Sequence, residues 1–272
     1  MSDLLAIFFW PMVASLVMGV VLNLLGIQLA ARDKTIQSLC ISQGSVFGVL
    51  LGIGLASFFH DSFAQGLPFV CSICGAGLLF LMSERVTQSL GPHKTTALVV
   101  IYVFLLALGH LVAALFPGVE LHLSQKFFGD LATVSDRDAQ LSIVGAICSS
   151  PIFWYFHRAF TRDSFEIAIL NAMPKWNAPR VVFLLFEFFA IAYSVMIFGF
   201  LFTVACLFRS TTFVARARNS VGWIRHYFAS SLLTLSACAV GFGLSLLSSN
   251  IPTVPAIVVS LVVLGGIYQK SA

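Results

Sequence analysis

Residues 180–208 read RVVFLLFEFFAIAYSVMIFGFLFTVACLF, and the fold turns on this stretch. Apart from Arg180 and Glu187 it carries no charge. As one helix its 29 residues would span about 44 Å at the α-helical rise. That is longer than the roughly 30 Å hydrocarbon core of a bilayer and too short for two full passes. The middle, Ser194 to Gly199, is where a break fits. One full pass followed by a short return helix is the expected arrangement.

The rest of the chain matches. Hydrophobic residues make up 59% of the 272 positions and charged residues 10%, against about 25% charged in an ordinary soluble domain. Further helical spans are expected at 4–29, 36–59, 67–83, 95–116, 139–157, 227–247 and 252–268. Their apolar runs are continuous, without the alternation of a barrel strand. The reading is an all-α polytopic membrane bundle: about eight or nine transmembrane helices in a single domain over 1–272, with one broken or re-entrant segment near 180–208. Met1-Ser2-Asp3 lacks the basic start of a cleavable signal peptide. The bundle leaves no room for a soluble nucleotide-binding or catalytic domain, so any ATP hydrolysis would come from a partner. No basic stripe interleaved with aromatics suggests nucleic acid. No His-Glu-x-x-His, Gly-x-Ser-x-Gly or phosphate-loop motif is present. The six cysteines all lie in apolar stretches; even Cys71-x-x-Cys74 reads as small packing residues, since buried free cysteine behaves as a small hydrophobe.

Charge placement tests the broken helix. Short cytoplasmic loops are rich in Lys and Arg. With the N-terminus outside and 180–208 crossing and returning, 13 of the 15 basic residues fall inside, Arg32, Lys34, Arg85, Arg158, Arg162 and Arg180 among them. Lys126 and Arg137 fall outside. A single pass through 180–208 would turn Arg209, Arg216, Arg218 and Arg225 outward, so the broken reading is preferred.

Two segments do not span. Residues 117–138, with a candidate short helix at Phe127–Val134, lie on the outer side. Residues 158–179 lie inside, where Phe165–Leu170 forms a short apolar helix stretch flanked by charge and stopped at Pro174. Such a stretch suits the membrane surface or a docking partner.

Three places resemble the permease subunit of zinc/manganese/iron-importing ABC transporters. Phe127-Phe128-Gly129-Asp130-Leu131-Ala132-Thr133-Val134-Ser135, then Asp138, is similar to that family's Phe-Gly-Asp-(Ile/Leu)-Leu-Ala-Val-Ser-then-acid segment. Arg158 to Ala172 sits where the family carries its coupling helix, with Ala168 fitting and Ala172 at a glycine position. Phe198-Gly199-Phe200-Leu201 through Val214-Ala215-Arg216 resembles Val-Gly-Ala-Leu … Pro-Ala-Ala-Thr-Ala-Arg, without the proline. The chain departs from the family in the second span. Leu39 and Gln43 stand where the family has Asp and His, and an amide is a poor zinc ligand.

The resemblance implies a permease in the bacterial inner membrane, N-terminus outside, that moves a divalent metal ion inward. It binds no cofactor itself and works with a cytoplasmic ATP-binding subunit, an extracytoplasmic metal-binding protein and a second permease copy or paralogue. Arg162, Asp163, Glu166, Ala168 and Ala172 would form the ATPase-coupling segment. Phe128, Gly129, Asp130 and Ser135 would face the binding protein. Polar groups at membrane depth are expensive and point to function; Cys40, Gln43, His110 and Glu187 are the candidate pathway residues. Asn23 reads as interhelical glue, and His60, Asp61, Glu120 and His122 as a possible outer collecting site. No residue is assigned as a metal ligand. Two alternatives stay open: a stand-alone secondary transporter or channel, motivated by the broken helix and Glu187, and a non-transporting degenerate paralogue, motivated by Leu39 and Gln43.

Overall fold

A computed structural model describes residues 2–58, 63–116, 119, 126–129, 131, 134–170, 178–216, 223–247 and 251–271. Among these there are helices and no strands. The helices are α1 Ser2–Ala31, α2 Thr35–Ala56, α3 Phe63–Ser89, α4 Lys94–Leu115, α5 Asp136–Leu170, α6 Ala178–Phe198, α7 Phe200–Arg216, α8 Trp223–Leu247 and α9 Thr253–Ser271. A 3₁₀ turn at Gly91–His93 joins α3 to α4. Among the described residues, eight helices are long and apolar enough to cross a membrane; α7, at 17 residues, is shorter.

Burial is inverted relative to a water-soluble protein. Trp154, Tyr155, Ile224 and Phe228 are exposed, while Ser15, Asn23, Gln28 and Ser42 are fully buried. Lipid tails solvate the first group, and only protein can hydrogen-bond the second.

The break in 180–208 falls at Gly199, which ends α6 and precedes α7. Its φ is +89°, and a Cβ there would lie 2.6 Å from the Gly129 Cα. Only glycine suits both the left-handed backbone and the contact.

The chain divides into two compact units. One comprises 1–33, 130–183 and 201–272. In it α1 packs against α5 and α8, and α8 against α9. Asn23 donates from Nδ2 to Ser230 Oγ at 3.0 Å, the interhelical bond expected of it. The other unit comprises 34–129 and 184–200. Its centre is the seam between α2 and α3. Gly44, Gly48 and Gly52 line α2 at four-residue spacing. A Cβ on Gly48 would sit 2.1 Å from the Cys71 carbonyl oxygen, and one on Gly75 2.4 Å from that of Gly44. The two backbones touch, the packing that small residues permit in membranes.

One expectation is corrected. The sequence reading ends the fifth span at 157 and places a separate docking helix after it. Instead α5 is continuous over 35 residues. No glycine or proline interrupts 157–170, and the Arg162–Glu166 pair at i,i+4 bridges the next turn at 2.9 Å. At the helical rise α5 is about 52 Å long, against a hydrocarbon core of about 30 Å. Trp154 and Tyr155, exposed aromatics of the kind that settle at the headgroup level, lie just before Arg158. The charged turns after Arg158 form an overhang beyond the apolar run of this helix.

Candidate functional site

The candidate residues fall in three groups: those at the α6–α7 break, those within the candidate spans, and those on the last turns of α5.

At the break, two of the quoted sequence segments meet. Gly199 lies against Gly129, whose own φ is +76°. Phe127 stacks on Phe200 with ring centroids 5.1 Å apart. Lys126 donates from Nζ to the Met196 carbonyl oxygen at 2.7 Å. That oxygen is among the last carbonyls of α6, which have no partner within the helix, and a cation there also suits the helix dipole. Phe128 is exposed and Gly129 buried. The Leu131 amide donates to Thr253 Oγ1 at 3.1 Å. Ser135 has a local role: it accepts from the Asp138 amide at 3.2 Å and donates to the Asp138 carboxylate at 2.8 Å. This serine N-cap starts α5. Asp130, Glu120, His122, His60 and Asp61 lie outside the described residues.

At membrane depth Cys40, Gln43 and Glu187 are buried and His110 is exposed on α4. The Cys40 thiol donates to the Leu98 carbonyl at 3.1 Å. Ser45 and Ser72 share a hydrogen bond of 2.7 Å across the α2–α3 seam. The Gln43 side-chain oxygen and both polar atoms of Gln37 are buried without a hydrogen-bond partner among the described residues. An unsatisfied buried amide costs about 1–3 kcal/mol, so these are the polar atoms on α2 with capacity to spare. Gln37 escaped the sequence reading although the same depth argument covers it. A cleft of about 430 Å³ between α2, α3 and α4 is walled by Phe47, Leu51, Cys71, Cys74, Leu78 and Phe104, among others. Its apolar walls offer little to an ion. No group of three or more His, Cys, Asp or Glu able to hold a metal occurs among the described residues. Among the described residues the groups at depth therefore do not assemble into a chelating cluster.

At the overhang Arg162 and Phe165 are exposed and Asp163 and Glu166 half-buried. Ala168 lies on the last turn of α5, and Ala172 lies outside the described residues. The inward side is polar and closed. Ser164 donates from Oγ to Gln28 Oε1 at 2.6 Å, and Arg32 donates from Nε to Ser164 Oγ at 2.9 Å and from Nη2 to the Phe160 carbonyl at 3.1 Å. Gln28 Nε2 donates to the Tyr227 hydroxyl. The Arg32 guanidinium stacks over the Phe183 ring at 3.7 Å. Charge counting treats Arg32 as a loop cation, yet it is 5% exposed.

A family model for the ABC 3 transport family matches residues 5–267. The chain belongs to the ABC 3 transport family. It is thus a multi-pass membrane permease of the metal-transporting ABC type, the class its quoted segments resemble. Among solved structures, PsaBC from Streptococcus pneumoniae in complex with Fab has the same fold, with a TM-score of 0.72 at 19% identity, over 96% of this chain and 92% of that one. No curated protein sequence matches the chain. As an ABC permease it works with other components of such a transporter, and the sites described are those of its membrane subunit.

Proposed function

We propose that this permease imports a divalent metal ion, zinc, manganese or iron, into the cytoplasm. It does so paired with a second permease copy or paralogue, in the bacterial inner membrane with its N-terminus outside. An extracytoplasmic metal-binding protein delivers the ion near the 126–135 segment and the α6–α7 break. A cytoplasmic ATPase grips the α5 overhang, and its ATP-driven closure alternates access by favouring one permease state over the other.

The observation that carries this reading is the unbroken α5. A helix that clears the bilayer by several turns and offers Arg162, Phe165 and Glu166 to the aqueous side suits a soluble motor, and the excess of basic residues on that side supports its being cytoplasmic. For the passage, Gln43 and Gln37 suggest transient contact of the ion with neutral oxygens rather than tight chelation. Of the three ions, manganese is the one that carbonyl oxygens suit best. The buried Glu187 motivates a second reading, a gradient-driven carrier.

Proteoliposomes holding the permease with its ATPase and binding protein test both. Uptake of zinc, manganese or iron that requires ATP inside the equivalent of the cytoplasm is the expected result. Uptake that persists without the ATPase, follows an ion gradient and vanishes in Glu187→Gln would replace the first reading by the second.

A further inference from the structure

A helix that leaves the membrane is a poor lever unless something holds it. Pro151 lies within α5, three residues before the exposed aromatics at 154 and 155. Proline removes a backbone donor and weakens the helix at the preceding turn. Push on the turns beyond it, and an unbraced α5 bends there.

The joint at the end of α1 holds α5 beyond that weakness. Phe160 and Ser164, one turn apart on α5, are each 1% exposed and face Arg32. The guanidinium takes both positions at once: Nε to the Ser164 hydroxyl at 2.9 Å and Nη2 to the Phe160 carbonyl at 3.1 Å. Its flat face rests on Phe183 of α6. From Ser164 the bonding continues through Gln28 of α1 to Tyr227 of α8. The Ser164 hydroxyl lies within donor reach of both Gln28 Oε1 and the Phe160 carbonyl, at 2.6 and 2.8 Å. This network of polar partners disperses the buried charge. Arginine's rigid fork suits two fixed acceptors in a way that a lysine ammonium does not. The opposite face of the same turns carries Arg162, Phe165 and Glu166.

We propose that Arg32 is the positioning residue of this transporter: with Ser164 and Gln28 it clamps the α5 overhang to α1, α6 and α8, so that movement at the outward face of 158–170 drives the membrane helices instead of flexing α5 at Pro151. This rests on the reading that the overhang receives the ATPase.

The test uses the assembled transporter in proteoliposomes and reads three quantities separately: co-purification of the ATPase, its rate of ATP hydrolysis, and uptake of each of the three metal ions per ATP hydrolysed. Arg32→Ala should leave the ATPase bound and active while uptake per ATP falls about tenfold. Arg32→Lys should fall less far, because the ammonium keeps the charge and can reach either acceptor but loses the flat contact with the Phe183 ring. Ser164→Ala should give a smaller loss, and the double variant should be no worse than Arg32→Ala, since both cut one linkage. If Arg32→Ala fails to assemble, Ser164→Ala and Arg32→Lys carry the test. An unchanged uptake-to-hydrolysis ratio in the assembled variants would overturn the proposal alone. Should the triple change Arg162→Ala, Phe165→Ala and Glu166→Ala leave ATPase binding intact, the docking reading fails, and the clamp falls with it.

Discussion

The seam between α2 and α3 and the joint between α1, α5 and α8 hold helices together by opposite means. At the seam the side chains are removed: Gly44, Gly48, Gly52 and Gly75 let two backbones touch, with Gly48 facing the Cys71 carbonyl. At the joint the side chains are the connection: Arg32, Gln28, Ser164 and Tyr227 form a hydrogen-bonded relay. In lipid there is no hydrophobic gain from bringing two apolar helices together, so close packing and interhelical hydrogen bonds are the means available. The difference is in tolerance. A backbone contact has no slack, while a relay of side chains is able to relax and find other partners.

Gly48→Leu should therefore have the largest effect. Its Cβ alone would lie 2.1 Å from the Cys71 oxygen, and α2 and α3 must part, at a cost of about 3 kcal/mol. Thermal unfolding of the detergent-solubilised permease measures it, and a melting point equal to the parent's would break the contrast. Gln28→Leu comes next. It takes one acceptor from the Ser164 hydroxyl and one donor from Tyr227, and should cost about 1 kcal/mol. Chemical denaturation in mixed micelles reads this loss, and Gln28→Glu, which keeps an acceptor for Ser164, should recover part of it. Asn23→Ala removes a bond farther along the same α1–α8 contact. Membrane hydrogen bonds of this kind average about 0.6 kcal/mol, so its shift should be small but resolvable in the same assay. A value as large as that for Gln28→Leu would mean that α1 and α8 are held evenly along their length rather than at the joint. Gly109→Ala sharpens the seam from the other side. A Cβ there meets only Leu50 Cδ1 at 3.6 Å, an ordinary contact, and the melting point should stay within about 0.5 kcal/mol equivalent of the parent. A large drop would show that glycine in this unit matters for reasons other than backbone approach.

Much of this was legible without coordinates. The apolar runs, the break inside 194–199 and the short α7 follow from helical rise set against bilayer thickness, and Asn23 as a helix-to-helix donor follows from the cost of a lone amide in hydrocarbon. The glycine seam was visible in principle, as a four-residue spacing at 44, 48 and 52, but its partner on α3 carries only Gly75 with Cys71 and Pro68, which no spacing rule singles out. The continuity of α5 was misjudged because polar residues at 158–166 look like the end of a span. Composition marks where a helix leaves lipid, and says nothing about where it stops. Of the candidate site, the outer segments at 127–135 and 198–200 were found as separate stretches, and their contact through Gly129 and Gly199 came only with the structure.

What the sequence by itself determined is what depends on local properties: hydrophobic length, charge placement, and the residues that permit or forbid a helix. These set an all-helical polytopic membrane bundle with one broken span, and the likeness of its quoted segments to a family pointed to a permease. The tertiary structure decided what depends on partners distant in the chain. Arg32 looks like an ordinary basic residue after a span, and it becomes the centre of a buried joint because Ser164, 132 positions away, faces it. Burying a guanidinium is favourable only when its fork is filled, and which residues fill it is settled by how α1, α5, α6 and α8 come together, which no window of local sequence contains.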